Sequence, residues 1–182
     1  MSDYGFGLFS CIVVEGSSYL RTLMSSSLRA LGVGNVKTVD DGSQGIEFLQ
    51  LVQSDPINAG MQKADIVFSN WQKSSVDGMM LLRWVRRQKE SRNRFIPFFM
   101  VTGYADREKV REARSMGATE MSAKPFSVVN LRQWLLQAVN RPRKFVHTAK
   151  YFGPDRRRKA SEVPAGKDRC KIDEQNVEVV HV

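Results

Sequence analysis

The six residues Ile66-Val67-Phe68-Ser69-Asn70-Trp71 combine a short apolar run with a polar pair and a closing tryptophan. An apolar run without polar alternation is typical of a strand that is covered on both faces, as in a parallel sheet. In open parallel sheets the functional crevice lies beyond the carboxyl ends of the strands. We therefore expect Asn70 at the edge of the sheet where chemistry takes place, and the amide at that position needs an explanation.

The rest of the first 140 residues alternates between segments of strand length and segments with helical spacing of their apolar residues. The predicted strands are 9–14, 36–39, 64–69, 95–101 and 117–123. Five strands that alternate with five helices over short loops predict a doubly wound α/β domain. Pro142 marks the expected end of this domain.

The charge of the chain is uneven. The 182 residues carry a formal net charge of +9, of which residues 1–140 contribute +4 (17 Lys/Arg, 13 Asp/Glu) and residues 141–182 contribute +5 (11 and 6). A basic tail predicts an anionic partner, such as a nucleotide, nucleic acid, an acidic protein surface or membrane lipid. Weak periodicity and several chain breakers predict that residues 141–182 form a flexible, disordered tail.

Composition also indicates where the protein acts. No stretch reaches 18 uninterrupted apolar residues, so no membrane span is expected, and the N-terminus lacks the basic region of a secretory signal. Cys11 and Cys170 are far apart and do not make a disulfide framework. His147 and His181 are isolated, which predicts no metal site at either residue. The cytoplasm is the expected location.

Six short motifs follow one another at the ends of the predicted elements. They are Ile12-Val13-Val14-Glu15-Gly16, Val39-Asp40-Asp41-Gly42, Val67-Phe68-Ser69-Asn70-Trp71, Val76-Asp77-Gly78, Met100-Val101-Thr102-Gly103 and Ala123-Lys124-Pro125-Phe126. Together they resemble the response-regulator receiver family, and in style its single-domain chemotaxis regulators. The resemblance covers residues 7–140 and implies a flavodoxin-like fold with strand order 2-1-3-4-5. It also implies a site where Mg²⁺ and a phosphoryl group meet an Asp at the end of the third strand.

Transferred residue by residue, the resemblance is incomplete at this phosphorylation site. Thr102 and Lys124 match the family's Thr and Lys, and Glu15 matches the first of its two acids. Gly16 replaces the second acid, and Asn70 replaces the phospho-acceptor. Acyl phosphate formation needs a carboxylate nucleophile, and Mg²⁺ prefers charged oxygen ligands. The sequence therefore predicts no enzyme activity, no catalytic residue, no metal and no cofactor. Lys124 is expected to pair with Glu15 and Asn70, and this pairing is expected to be structural.

The tail contains a cluster of aromatic and basic residues at 151–159. Arginine bonds guanine O6 and N7, a carboxylate accepts from the N1 and N2 hydrogens, and aromatic rings stack on bases. The cluster resembles the arginine-rich C-terminal extensions of receiver-like proteins that bind cyclic di-GMP and act at the flagellar motor. This resemblance implies cyclic di-GMP as a ligand, and the expected binding residues are Tyr151, Phe152, Asp155, Arg156, Arg157 and Arg158.

These observations lead to one main hypothesis, a non-enzymatic signalling adaptor. Its receiver domain (7–140) is not phosphorylated, its tail (141–182) binds cyclic di-GMP, and it docks a protein partner such as the flagellar motor switch or a signalling kinase. The first alternative is a constitutive interaction module of a two-component or chemotaxis pathway. This module docks through its fourth helix, fifth strand and fifth helix, and its tail binds nucleic acid or acidic surfaces nonspecifically. A second alternative is an active phospho-receiver that uses another Asp. No specific nucleic acid is expected.

Overall fold

The computed structural model describes residues 5–71, 76–88, 92–103, 106–148, 151–155 and 178–180. Within these residues, five parallel strands form the main sheet: β1 (Ser10–Val14), β2 (Asn35–Val39), β3 (Ile66–Ser69), β4 (Phe98–Thr102) and β5 (Glu120–Ala123). Their order is β2-β1-β3-β4-β5. The predicted fold class and strand order are therefore confirmed.

Six α-helices in the described residues connect and cover these strands, and two short 3-10 helices, Phe6–Leu8 and Arg92–Phe95, precede β1 and β4. The α-helices are α1 (Ser18–Ala30), α2 (Gly42–Ser54), α3 (Pro56–Ala59), α4 (Gly78–Arg87), α5 (Arg107–Ser115) and α6 (Val128–Asn140). Each begins after a Ser or Asp whose side chain accepts a hydrogen bond from a backbone N–H of the first turn. The short α3 was not predicted, and Asp55 with Pro56 explains its start. None of these helices, as far as the structure describes the chain, is long and apolar enough to cross a membrane.

The central strand β3 is buried on both faces. Val67 belongs to the core on the side of α2 and α4, whereas Ile66 and Phe68 belong to the core on the side of α1 and α6. The ring of Phe68 stacks on Phe99 at a centroid distance of 5.5 Å and lies 6.2 Å from the ring of Trp134. The unbroken apolar run of the sequence thus corresponds to a strand between two helical layers.

Part of the tail forms a second, antiparallel sheet. Its strands are β6 (Phe145–His147), β7 (Phe152–Pro154) and β8 (Glu178–Val180), in the order β7-β6-β8. For these nine residues the structure differs from the disorder that the sequence predicts. The reason is aromatic packing: Phe145 is only 4% exposed and lies 5.3 Å from the ring of Phe95 and 5.6 Å from that of Phe152.

The tail and the domain also meet through two glycines. A Cβ atom added to Gly153 would lie 2.7 Å from the Cα of Gly117, and one added to Gly117 would lie 2.9 Å from the Phe152 carbonyl oxygen. Gly117 also has a φ of +95°, a conformation that favours glycine. The backbone of β7 therefore lies directly against the turn between α5 and β5.

Candidate functional site

Four residues that were predicted from the sequence as site residues lie at the carboxyl edge of the main sheet. We call Glu15, Asn70, Thr102 and Lys124 the rim. Each ends or follows one of the strands β1, β3, β4 and β5, whose carboxyl ends lie at one edge because the strands are parallel. Backbone bonds fix them there: the N–H of Asn70 donates to the Val14 carbonyl at 2.9 Å, and the N–H of Lys124 donates to the Thr102 carbonyl at 2.7 Å.

The carboxylate of Glu15 is the centre of the rim. It is 3% exposed, and its Oε2 lies 2.5 Å from Nζ of Lys124. Its Oε1 accepts hydrogen bonds from Nδ2 of Asn70 at 3.1 Å and from the backbone N–H of Ser17 at 3.0 Å. The predicted pairing of Lys124 with Glu15 is present, and the amide of Asn70 supports it as a hydrogen-bond donor. A carboxylate in this position would instead face Glu15 as a second negative charge.

The donor set of the rim does not fit Mg²⁺. Its one carboxylate is already neutralised by Lys124, and Gly16, exposed beside it, has no side chain to offer. Arg21, which the sequence analysis did not single out, adds a second cation: its Nη1 donates to the Glu15 carbonyl at 2.6 Å and lies 2.8 Å from Oδ1 of Asp40. The described residues contain no group of three or more His, Cys, Asp or Glu that could hold a metal.

The backbone around Asn70 has little room to move. A Cβ atom added to Gly78, the first residue of α4, would lie 2.2 Å from the Asn70 carbonyl oxygen. Thr102 is fully buried at the end of β4, and Trp71 is half-buried, with Nζ of Lys109 6.0 Å from its ring centroid. The rim is therefore a packed, hydrogen-bonded edge.

A second cluster lies at the opposite, amino end of β4 and β5, around Arg86. In the sequence Arg86 opens the basic run 86–94, which is typical of a solvated helix end and loop, but in the structure this side chain is only 4% exposed. Its guanidinium donates to three carbonyl oxygens, those of Gly117 at 2.9 Å, Arg94 at 2.7 Å and Ile96 at 2.9 Å. Burial lowers the pKa of Arg86 to about 9, which leaves it charged at neutral pH.

Aromatic residues of the tail cover this cluster. The Cζ atom of Arg86 lies 5.2 Å from the ring centroid of Phe145, and that of Arg94 lies 3.5 Å from the ring centroid of Phe152. These are cation–π distances. We call Arg86, Arg94, Phe95, Phe145 and Phe152 the arginine–aromatic cluster. The carbonyl groups and tail rings that form this cluster are far from Arg86 in the sequence, so the local sequence around Arg86 does not predict it.

The structure describes three of the six predicted nucleotide-binding residues, namely Tyr151, Phe152 and Asp155. Phe152 belongs to the arginine–aromatic cluster, and Oη of Tyr151 donates to the Pro154 carbonyl at 2.8 Å, so both rings have a packing role. Asp155 is half-buried beside Lys144, whose carbonyl accepts from the Asp155 N–H at 2.8 Å. Arg156, Arg157 and Arg158 lie outside the described residues, as does the rest of the predicted motif to Lys159.

Comparisons with known sequences identify the family to which the chain belongs. The sequence profile of the family described as "Response regulator receiver domain" matches residues 11–136. Chemotaxis protein CheY-3 of Vibrio cholerae serotype O1 is 28% identical over 124 residues, which cover 68% of this chain and 86% of that protein. Chemotaxis protein CheY of Pseudomonas aeruginosa is 29% identical over 122 residues, or 67% of this chain and 89% of that one.

Solved structures show the same fold. Chemotaxis protein CheY4 of Vibrio cholerae superposes with a TM-score of 0.60 at 24% identity, over 72% of this chain and 98% of that chain. The receiver domain of sensor histidine kinase PA1611 from Pseudomonas aeruginosa, solved with magnesium in its active site cleft, gives 0.59 at 23% identity over 72% and 98%. The family match ends at residue 136, so the tail strands lie beyond it.

Proposed function

Because the chain belongs to the response-regulator receiver family, we propose that it is a non-enzymatic signalling adaptor whose receiver domain is not phosphorylated. One observation carries this proposal: an amide stands where the family has its acceptor carboxylate, and it is hydrogen-bonded to a Glu15 that Lys124 already neutralises. An amide is neutral and a poor nucleophile. In addition, the ammonium of Lys124 already pairs with the carboxylate of Glu15.

Receiver domains act through protein partners, and the similarity to two chemotaxis proteins favours a partner in that pathway. We infer docking of the flagellar motor switch or a signalling kinase through the face formed by α5, β5 and α6. Because Asn70 offers no carboxylate to accept a phosphoryl group, this docking is expected not to depend on phosphorylation. The adaptor would then need another input.

Phosphorylation is tested with acetyl phosphate and Mg²⁺ on the full chain, followed by intact-mass spectrometry and pull-down of the motor switch protein. We expect no labile phosphoryl adduct and the same amount of captured partner with and without acetyl phosphate. A homologous receiver with an intact acidic site is the positive control for the reagent. A labile adduct on any Asp of this chain would support the active phospho-receiver instead.

For the input, we propose that the tail binds cyclic di-GMP through Asp155 and Arg156 to Arg158. The net charge of +5 over residues 141–182 and the carboxylate next to three arginines favour a ligand that has both phosphates and guanine donors. Tyr151 and Phe152 contribute by holding the segment on the domain. This assignment keeps the predicted binding residues but gives the two rings a supporting role.

Calorimetry with cyclic di-GMP tests this input on the full chain and on a variant with Arg156 to Arg158 changed to Ala. We expect heat of binding for the first and a loss for the second, and no heat from either would overturn the nucleotide assignment. The substitution is preferable to deletion of residues 141–182, because deletion would also remove Phe145 from Arg86. The competing constitutive module predicts no nucleotide effect on partner capture and a steep salt dependence of binding to mixed-sequence DNA.

A further inference from the structure

An open groove with a volume of about 700 Å³ lies between the last turn of α6 and the tail. We call it the tail groove. Its size lies within the range of small-molecule sites in proteins, roughly 300–1,000 Å³. The sequence analysis did not single out any residue of α6 or of the connection to β6 as a binding residue, so this groove is a finding of the structure.

The groove has an excess of positive charge. Three cations, Arg141, Arg143 and Lys144, line it together with two carboxylates, Asp155 and Glu120. Glu120 also lies 3.8 Å from Nη2 of Arg114, so part of its charge is already engaged. In the part of the chain that the structure describes, none of the three lining cations forms an ion pair. An anionic ligand would therefore meet cations that form no ion pair with a carboxylate of the described residues.

The other polar groups distinguish among anions. Gln137 and Asn140 offer side-chain amides on the α6 wall, and Asp155 offers a carboxylate on the tail wall. A carboxylate repels a bare polyphosphate, a nucleic-acid backbone or an acidic lipid surface. Amides and carboxylates are, however, the groups that bond the edges of nucleobases, and guanine presents two adjacent N–H donors that a carboxylate accepts. The combination fits a nucleotide with guanine bases better than a polyanion.

We propose that the tail groove is the body of the cyclic di-GMP site, with Arg143 and Lys144 at the phosphates and Asp155 at a guanine edge. This inference rests on the proposed function for the identity of the ligand, and it adds the wall of α6 and the connection to β6. The Asp155 backbone N–H already bonds the Lys144 carbonyl at 2.8 Å, which holds the base-reading carboxylate next to the phosphate-binding cation. The Asp155 carboxylate and the Lys144 cation are already next to each other before a ligand binds, so part of the site is preorganised.

The experiment is calorimetric titration of the full chain with cyclic di-GMP and, separately, cyclic di-AMP. The double variant Arg143→Ala/Lys144→Ala should weaken cyclic di-GMP binding by about tenfold or more, since it removes charge-assisted hydrogen bonds. The matched control is Arg107→Ala/Arg111→Ala, which removes the same charge from the exposed face of α5. It should leave the affinity within about twofold, because screening suppresses distant surface charges.

The Asp155→Asn variant tests the base contact. It keeps the backbone bond to Lys144 and the shape of the side chain, and it should reduce the preference for cyclic di-GMP over cyclic di-AMP by about tenfold. An unchanged preference would overturn the guanine contact at Asp155. Thermal unfolding of each variant, compared with the wild type, confirms that the groove is still folded.

The outcomes separate this inference from the proposed function. In one outcome the wild type binds cyclic di-GMP, the variant of Arg156 to Arg158 does not, and Arg143→Ala/Lys144→Ala behaves like its control. That outcome would show that the tail groove is not part of the nucleotide site, while cyclic di-GMP binding by the tail would stand. If the wild type binds no cyclic di-GMP, the nucleotide input and the groove both fail. The adaptor with an unphosphorylated rim is unaffected, because its evidence comes from the acetyl phosphate experiment.

Discussion

Lys124, which is partly buried, and Arg86, which is buried, are cations at opposite ends of the same sheet, and the protein stabilises their charges differently. Lys124 lies against one carboxylate, that of Glu15, at the carboxyl edge. Arg86 lies at the amino edge among three carbonyl oxygens and the ring of Phe145. A point charge such as ammonium suits a single anion, whereas the planar guanidinium distributes its charge over several neutral acceptors.

The difference shows which end of the molecule depends on the tail. In the part of the chain that the structure describes, the hydrogen bonds and the ion pair of Lys124 are made with residues of the receiver domain. The contacts of Arg86, at the end of α4, come from the turns at residues 94–96 and Gly117 and from the tail, so they join the receiver domain to residues that lie beyond the family match. Changes at Arg86 should therefore affect stability more than changes at the rim.

Substitution of Arg86 with Met should have the largest effect. It leaves three buried carbonyl groups without their donor and should lower the free energy of unfolding by about 3–5 kcal/mol. Denaturant unfolding at neutral pH measures this change. The control is Arg83→Met, an exposed arginine on the same helix, with an expected change within about 0.5 kcal/mol. Equal effects of the two substitutions would contradict a structural role for Arg86.

Substitution of Phe145 with Ala should come next, at about 3 kcal/mol. It removes a nearly buried ring that packs on Phe95 and covers Arg86. The same unfolding experiment applies, and the exposed neighbour Lys144→Ala is the matched control. If Phe145→Ala has no more effect than the control, the tail does not contribute to the stability of the domain.

Substitution of Glu15 with Gln should destabilise by about 2 kcal/mol, because it leaves the partly buried ammonium of Lys124 without a carboxylate. The value is set below that of a fully buried pair because the Lys124 side chain is 15% exposed. A double-mutant cycle with Lys124→Met should recover part of this loss, since the double variant has no uncompensated charge. Additive effects of the two substitutions would show that the contact is not coupled.

The smallest effect concerns Cys11, a buried group that stays neutral. Burial raises the pKa of the Cys11 thiol to about 12, so the folded protein holds its proton between the ordinary thiol pKa and that value. The neutral thiol of Cys11 contributes to the stability of the folded state below the ordinary thiol pKa, and this contribution is lost as the pH rises towards 12. In a Cys170→Ser variant at about pH 8, a thiol reagent should react slowly until denaturant unfolds the chain. Fast reaction of the folded protein would show that β1 opens.

The sequence predicted the sheet and the rim because both depend on local or repeated patterns. Unbroken apolar runs such as 66–68 predict buried parallel strands, and parallel strands bring Glu15, Asn70 and Lys124 to one edge. Arg86 could not be predicted in the same way. In the sequence it belongs to a basic run, and only carbonyls 8 to 31 residues away make its burial possible.

The short strands of the tail could not be predicted for a related reason. The strands β6 and β7 are three residues long, too short to show a period of two, and their aromatic residues suggested base stacking. In the structure Phe145 and Phe152 find protein partners on the receiver domain, among them Phe95. Short segments that are stabilised by non-local packing have no signature in their own sequence.

Because Gly153 lies directly against Gly117, the tail can attach in this way only when residue 153 has no side chain. Replacing Gly153 with Ala would place a methyl carbon 2.7 Å from the Cα of Gly117, closer than such atoms can lie. The substitution would push β7 away from the receiver domain while every charged residue of the tail is retained. A tail that is complete but displaced would separate the effect of its position from the effect of its charge on ligand binding and partner docking.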